Sequence, residues 1–152
     1  MKINYKKLLL YIVITFLIGS FFAIFTSNNE TYRSLNKIIE VPGIVFPIVW
    51  SILYLLMSIS AYIVSESNDR NKNKALKIYF IQLIVNSLWT LIFFGFKLYA
   101  FGFIWILLLI SLVVLMIYNF YKIKSVAGYI NLPYILWLIF AAFLNISIVI
   151  LN

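Results

Sequence analysis

Five stretches of this chain, residues 8–25, 44–64, 78–96, 99–121 and 132–151, contain no charged residue. Each is close to the roughly 20 apolar residues that an α-helix needs to cross a bilayer. A backbone in hydrocarbon must satisfy its own hydrogen bonds, and a single apolar run can do so only as a helix. The chain is 65% apolar and 11% charged with mean hydropathy +1.08, far from the roughly 25% charge of soluble domains. The expected fold is all-α, an integral membrane bundle of five transmembrane helices in one domain covering residues 1–152. The first run is read as a span rather than a cleaved signal, because no small-x-small cleavage pattern follows it.

The polar segments set the topology. Residues 26–43 form the long first connection, expected as a lid loop closing on Pro42-Gly43. Lys97-Leu98 is a tight turn that makes the third and fourth spans antiparallel neighbours. Nine basic residues fall on the side of the amino terminus (Lys2, Lys6, Lys7, Arg70, Lys72, Lys74, Lys77, Lys122, Lys124), against Arg33, Lys37 and Lys97 opposite. The positive-inside rule then puts the amino terminus inside. Ile-, Lys- and Asn-rich usage points to a bacterial cell membrane. The net charge of +8 is accounted for by topology and anionic lipid, with no basic domain to hold nucleic acid.

What is absent narrows the chemistry. The chain has no His and no Cys, which excludes imidazole or thiolate ligation of haem, structural zinc and disulfides within it. Glu30, Glu40, Glu66 and Asp69 all lie between spans. Without Lys, Arg, Asp or Glu well inside a span, and without His, proton relays and hydrolysis lack their parts. No catalytic residue and no metal ligand is expected, and no cofactor is required.

Three helix faces do carry polar and aromatic groups. Gln82, Asn86, Trp89 and Phe93 are spaced four, three and four residues apart and share one face. Trp50, Tyr54, Met57 and Ala61 make a second stripe, and Tyr134, Trp137, Ala141 and Asn145 a third. Singly, such residues are ordinary interfacial belts and helix–helix glue. Together they describe walls for a flat aromatic ligand. Ser58, Ser60, Ala61 and Gly102 are small enough for close helix approach, including self-association.

The segments Val45-Phe46-x-x-Val49-Trp50-x-x-Leu53-Tyr54, Gln82-x-x-x-Asn86-x-x-Trp89-x-x-x-Phe93-Phe94-Gly95 and Pro133-Tyr134-x-x-Trp137-x-x-Phe140-Ala141-x-x-Leu144-Asn145 resemble the TspO/MBR family over about residues 8–152. That family holds the bacterial tryptophan-rich sensory proteins and the mitochondrial translocator protein, or peripheral benzodiazepine receptor. The resemblance implies a five-helix bundle, often a homodimer. It also implies a lidded intramembrane pocket for porphyrins (protoporphyrin IX or a haem-like ring) and benzodiazepine-type ligands. Matched by position, the ligand-binding residues are Tyr32, Pro42, Phe46, Trp50, Tyr54, Asn86, Trp89, Phe93, Trp137 and Ala141. The expected function is a membrane receptor or sensor for tetrapyrroles and other flat hydrophobic ligands. The alternatives are light- and oxygen-dependent breakdown of bound porphyrin, and small-molecule transport. The lid departs from the family pattern: Thr31 stands where relatives often carry a tryptophan implicated in porphyrin breakdown, and only one proline precedes Gly43.

Overall fold

The computed structural model describes residues 2–26 and 29–152, apart from the side chains of Asn29 and Thr31, so the expectation attached to Thr31 lies outside the described residues. Among the described residues, seven α-helices follow one another: α1 (Tyr5–Thr26), α2 (Asn29–Ser34), α3 (Val45–Ser65), α4 (Lys72–Thr90), α5 (Tyr99–Ile123), α6 (Ser125–Tyr129) and α7 (Leu132–Leu151). Among the described residues, five helical segments are long and apolar enough to cross a membrane, and each overlaps one of the five uncharged runs. The protein is an integral, multi-pass membrane protein.

The helix ends differ from the hydropathy boundaries for physical reasons. α4 starts at Lys72, ahead of the uncharged run, because the Lys-rich lead is made of good helix formers and is free to turn outside hydrocarbon. Lys72 Nζ donates to the carbonyls of Ser65 and Ser67 at 3.4 and 3.0 Å, closing the end of α3. Pro47 and Pro133 fall in the first turns of α3 and α7, where a missing N–H costs nothing. The 26–43 connection is not all loop, since it holds α2. The 122–131 connection likewise holds α6.

The helices pack in the order α3, α1, α4, α5, α7, each closely against the next. The Lys97-Leu98 turn, with Lys97 at φ 56°, makes α4 and α5 neighbours as expected. The backbones of α3 and α7 approach each other little, and large side chains bridge them instead. Asn131, just ahead of α7, donates to Ser60 Oγ of α3 at 2.8 Å and pins one end of that gap. Ser58, Ser60 and Ala61 are buried inside the bundle, so they serve internal packing and are unavailable for self-association.

α1 touches the bundle along a narrow line. Thr15 and Gly19 are its buried residues; Thr15 hydrogen bonds Tyr79 of α4, and the Gly19 carbonyl accepts from the Tyr54 hydroxyl of α3 at 2.9 Å. A Cβ at Gly19 would lie 2.6 Å from the Tyr54 ring, well inside van der Waals contact. Gly19→Ala should therefore lower stability by about 1–3 kcal/mol, the usual cost of overpacking. Thermal unfolding in detergent measures it, and a double-mutant cycle with Tyr54→Leu should show the two losses to be less than additive. An unchanged midpoint for Gly19→Ala contradicts this close approach.

Candidate functional site: an aromatic cavity under the lid

Each of the three stripes divides into two parts with different roles. Toward the middle of the bundle, Met57, Gln82, Asn86 and Tyr134 form a packed floor. The Asn86 amide donates to the Tyr134 hydroxyl at 3.0 Å, and that hydroxyl donates to Gln82 Oε1 at 2.8 Å. The Gln82 amide nitrogen lies 3.7 Å from Met57 Sδ. Three helices are tied by this chain, and every member is buried. Polar groups at this depth have no water to turn to, so they bind one another.

Toward the lid, the same stripes separate around a cavity of about 1140 Å³. Its walls are Phe16, Gly19, Ser20 and Ala23 of α1, Trp50 and Tyr54 of α3, Trp89 at the end of α4, and Trp137, Ala141 and Asn145 of α7. Tyr32 of α2, the segment 40–44 and Phe46 cover it. Drug-sized ligand pockets run at about 300–1,000 Å³, so this cavity has room for a large ring system.

The aromatic rings brace one another. Tyr32, Phe46 and Trp137 form a string with centroids 5.2 and 6.0 Å apart, joining lid to α3 to α7. Trp50 packs against Tyr54 at 5.6 Å, and Trp89 stacks on Phe93 at 5.1 Å. Edge-to-face and offset contacts of this kind fix ring orientation as well as burying area. The Trp89 indole donates to Asn145 Oδ1 at 3.2 Å, and the Asn145 amide donates to the Tyr99 carbonyl at 2.9 Å. The Trp137 indole nitrogen and the Tyr32 hydroxyl are buried without a hydrogen-bond partner among the described residues.

Of the ten residues expected at the site, Tyr32, Pro42, Phe46, Trp50, Tyr54, Trp89, Phe93, Trp137 and Ala141 line this one cavity. Asn86 does not. At 2% exposure it is sealed in the floor with its amide held by Tyr134, so it supports the walls and does not face the void. Phe94 lines the cavity beside Phe93 because α4 widens into a π-turn over Leu91–Gly95. Fewer degrees per residue bring successive side chains closer to one face, and spacing rules drawn for a regular helix miss it. The α1 wall had only one signal, Gly19-Ser20 within a uniformly apolar helix. Arg33, Lys37 and Glu40 also border the cavity.

The lid is braced within itself by Lys37 and tied to the bundle by Asn152. Lys37 Nζ donates to the carbonyls of Tyr32 and Leu35 at 2.6 and 2.7 Å and lies 4.4 Å from the Tyr32 ring centre. The Asn152 side chain accepts from the Asn36 amide at 3.1 Å and donates to its carbonyl at 2.9 Å, tying the 33–40 segment to the end of α7.

A bundle of five membrane-spanning helices with an indole-lined chamber beneath a tethered lid defines a multi-pass membrane protein built around an internal cavity. The chain matches the TspO/MBR family over residues 10–151, and it belongs to that family. It is similar to the protein CrtK of Rhodobacter capsulatus, at 39% identity over 88% of this chain and 85% of the relative. It is also similar to the tryptophan-rich sensory protein of Cereibacter sphaeroides, at 34% identity over 82% of this chain and 78% of the other. The tryptophan-rich protein TspO of Archaeoglobus fulgidus is 33% identical over 98% of this chain and 99% of its own length.

The floor makes a direct prediction. Tyr134→Phe keeps the ring and removes the hydroxyl, leaving the Gln82 and Asn86 amides without their shared partner. Stability in detergent should fall by about 1–2 kcal/mol. A wild-type unfolding midpoint for Tyr134→Phe would show that the floor is not held by this network.

Proposed function

We propose that this protein is a membrane receptor that holds a porphyrin, or a similar flat and largely apolar ring system, in the cavity beneath its lid. Family membership and the tryptophan-rich sensory proteins among its relatives support the broader statement, a membrane sensor or receptor role. The observation that carries the narrower one is the convergence of Trp50, Trp89 and Trp137, from three different helices, on a single cavity of about 1140 Å³. Flat aromatic ligands gain most from aromatic walls, and a few polar groups then fix their orientation. Ala141, small and on the wall between Trp137 and Asn145, leaves the width that a ring needs.

Titration of the detergent-solubilised protein with protoporphyrin IX should quench tryptophan emission saturably in the micromolar range or below. Ala141→Phe places a ring inside the cavity and should weaken binding by about tenfold or more, a loss of roughly 1.4 kcal/mol or more. Emission that stays unchanged across micromolar porphyrin contradicts the proposal. An enzyme that breaks down bound porphyrin would use this same chamber. Illuminated and dark samples, followed by porphyrin absorbance with and without protein, separate the two readings.

A further inference from the structure

The three indoles on the cavity wall are not held alike. Among the described residues, Trp89 alone of the three gives its N–H to the protein, to Asn145 Oδ1 at 3.2 Å. Trp137 Nε1 is unpartnered, and Trp50 is braced by ring contacts with Tyr54 and Tyr134. Asn145 is itself fixed: it is buried, and its amide donates to the Tyr99 carbonyl at 2.9 Å. Tyr99 leads back to the start. Its ring meets Phe93 edge-on at 5.0 Å, and Phe93 stacks on Trp89 at 5.1 Å. Trp89, Asn145, Tyr99 and Phe93 thus close a circuit of contacts between α4 with its π-turn, α7 and α5.

Gly102, in the first turn of α5, lies against this circuit. A Cβ there would come to 3.5 Å from both Asn145 Oδ1 and the Phe93 ring, and to 3.7 Å from Trp89 Nε1. The circuit therefore sits against bare helix backbone. Trp89 is left little freedom, since stacking on one face and a hydrogen bond at the edge fix the plane and the rotation of the ring together. Asn145 borders the cavity too, but its oxygen and its nitrogen are both engaged with the protein. That suits it to hold a wall in place.

We propose that Asn145 is a positioning residue: it presets the Trp89 indole as the fixed plate against which a flat ligand stacks, while the unbonded indoles of Trp50 and Trp137 adjust to the ligand. This rests on the ring-binding reading above and adds to it a division of roles among the three indoles. The physical reason is preorganisation. A side chain that must be ordered when the ligand arrives takes that cost out of the affinity, and one ordered beforehand does not. Asn145 acts through Trp89, and its removal should be felt by the ligand only where the indole N–H is there to be held.

Two variants test it. Asn145→Leu keeps most of the side-chain bulk and removes both hydrogen bonds. Asn145→Ser loses the reach to Trp89 and lets its hydroxyl turn to the carbonyl one helical turn back. Protoporphyrin IX, titrated against protein in nanodiscs, should bind either variant about two- to tenfold more weakly than the native chain, as expected when one wall side chain must be ordered on binding. In ultraviolet resonance Raman spectra of the ligand-free protein, the band that reports indole N–H hydrogen bonding should move toward its unbonded position in both variants. In a Trp89→Phe background, which keeps a ring but has no N–H, Asn145→Leu should cost no further affinity. Native affinity in both variants overturns the inference and leaves ring binding standing. So does a loss that persists in full in the Trp89→Phe background, because Asn145 would then act through the fold and not through Trp89. If the native chain does not bind protoporphyrin IX, the ring-binding reading fails and this inference falls with it.

Discussion

Everything in this bundle follows from the need of each polar group in hydrocarbon to find its partner inside the protein. The carboxamides of Gln82 and Asn86 meet the Tyr134 hydroxyl, and the Asn145 amide meets the Trp89 indole and the Tyr99 carbonyl. Asn131 reaches Ser60 across the helices. The Gln82–Tyr134–Asn86 and Asn131–Ser60 pairings tie the half of the bundle away from the lid, while Trp89 and Asn145 pair on the cavity wall itself. A void of about 1140 Å³ forfeits dispersion contacts along its lining. Below the cavity these polar pairs sit within a continuous apolar core that joins α3, α4, α5 and α7.

The aromatic string Tyr32–Phe46–Trp137 extends this logic to the surface. It joins α2, α3 and α7 at the lid end of the cavity. The lid is thus ordered by ring contacts and by the Asn36–Asn152 pair instead of by a hydrophobic core of its own.

Helix existence and the identity of the walls were legible in the sequence because both depend on simple periodicities. Uncharged runs of span length mark the helices, and spacings of three and four mark the faces on which Trp50, Trp89 and Trp137 sit. The same spacing could not divide a face along its length. It grouped Asn86 with Trp89, although one lies in the sealed floor and the other on the void. Phe94 was hidden by the π-turn, a departure from the regular period that depends on how α4 ends against its neighbours. The α1 wall was hidden because an evenly apolar helix has no face of its own; Tyr54 selects Gly19 by needing the space. The charges at the lid were visible as residues but not as part of the site, since a polar loop carries no period from which its direction can be read.

The most direct measurement is an experimental structure of the protein with protoporphyrin IX bound in a bilayer mimic. The ring plane should lie between the side chains of Trp50, Trp89 and Trp137, with the Gln82–Tyr134–Asn86 pairing intact below it. Porphyrin found on the lipid-facing surface, or a chamber that collapses when the ligand is present elsewhere, would contradict it.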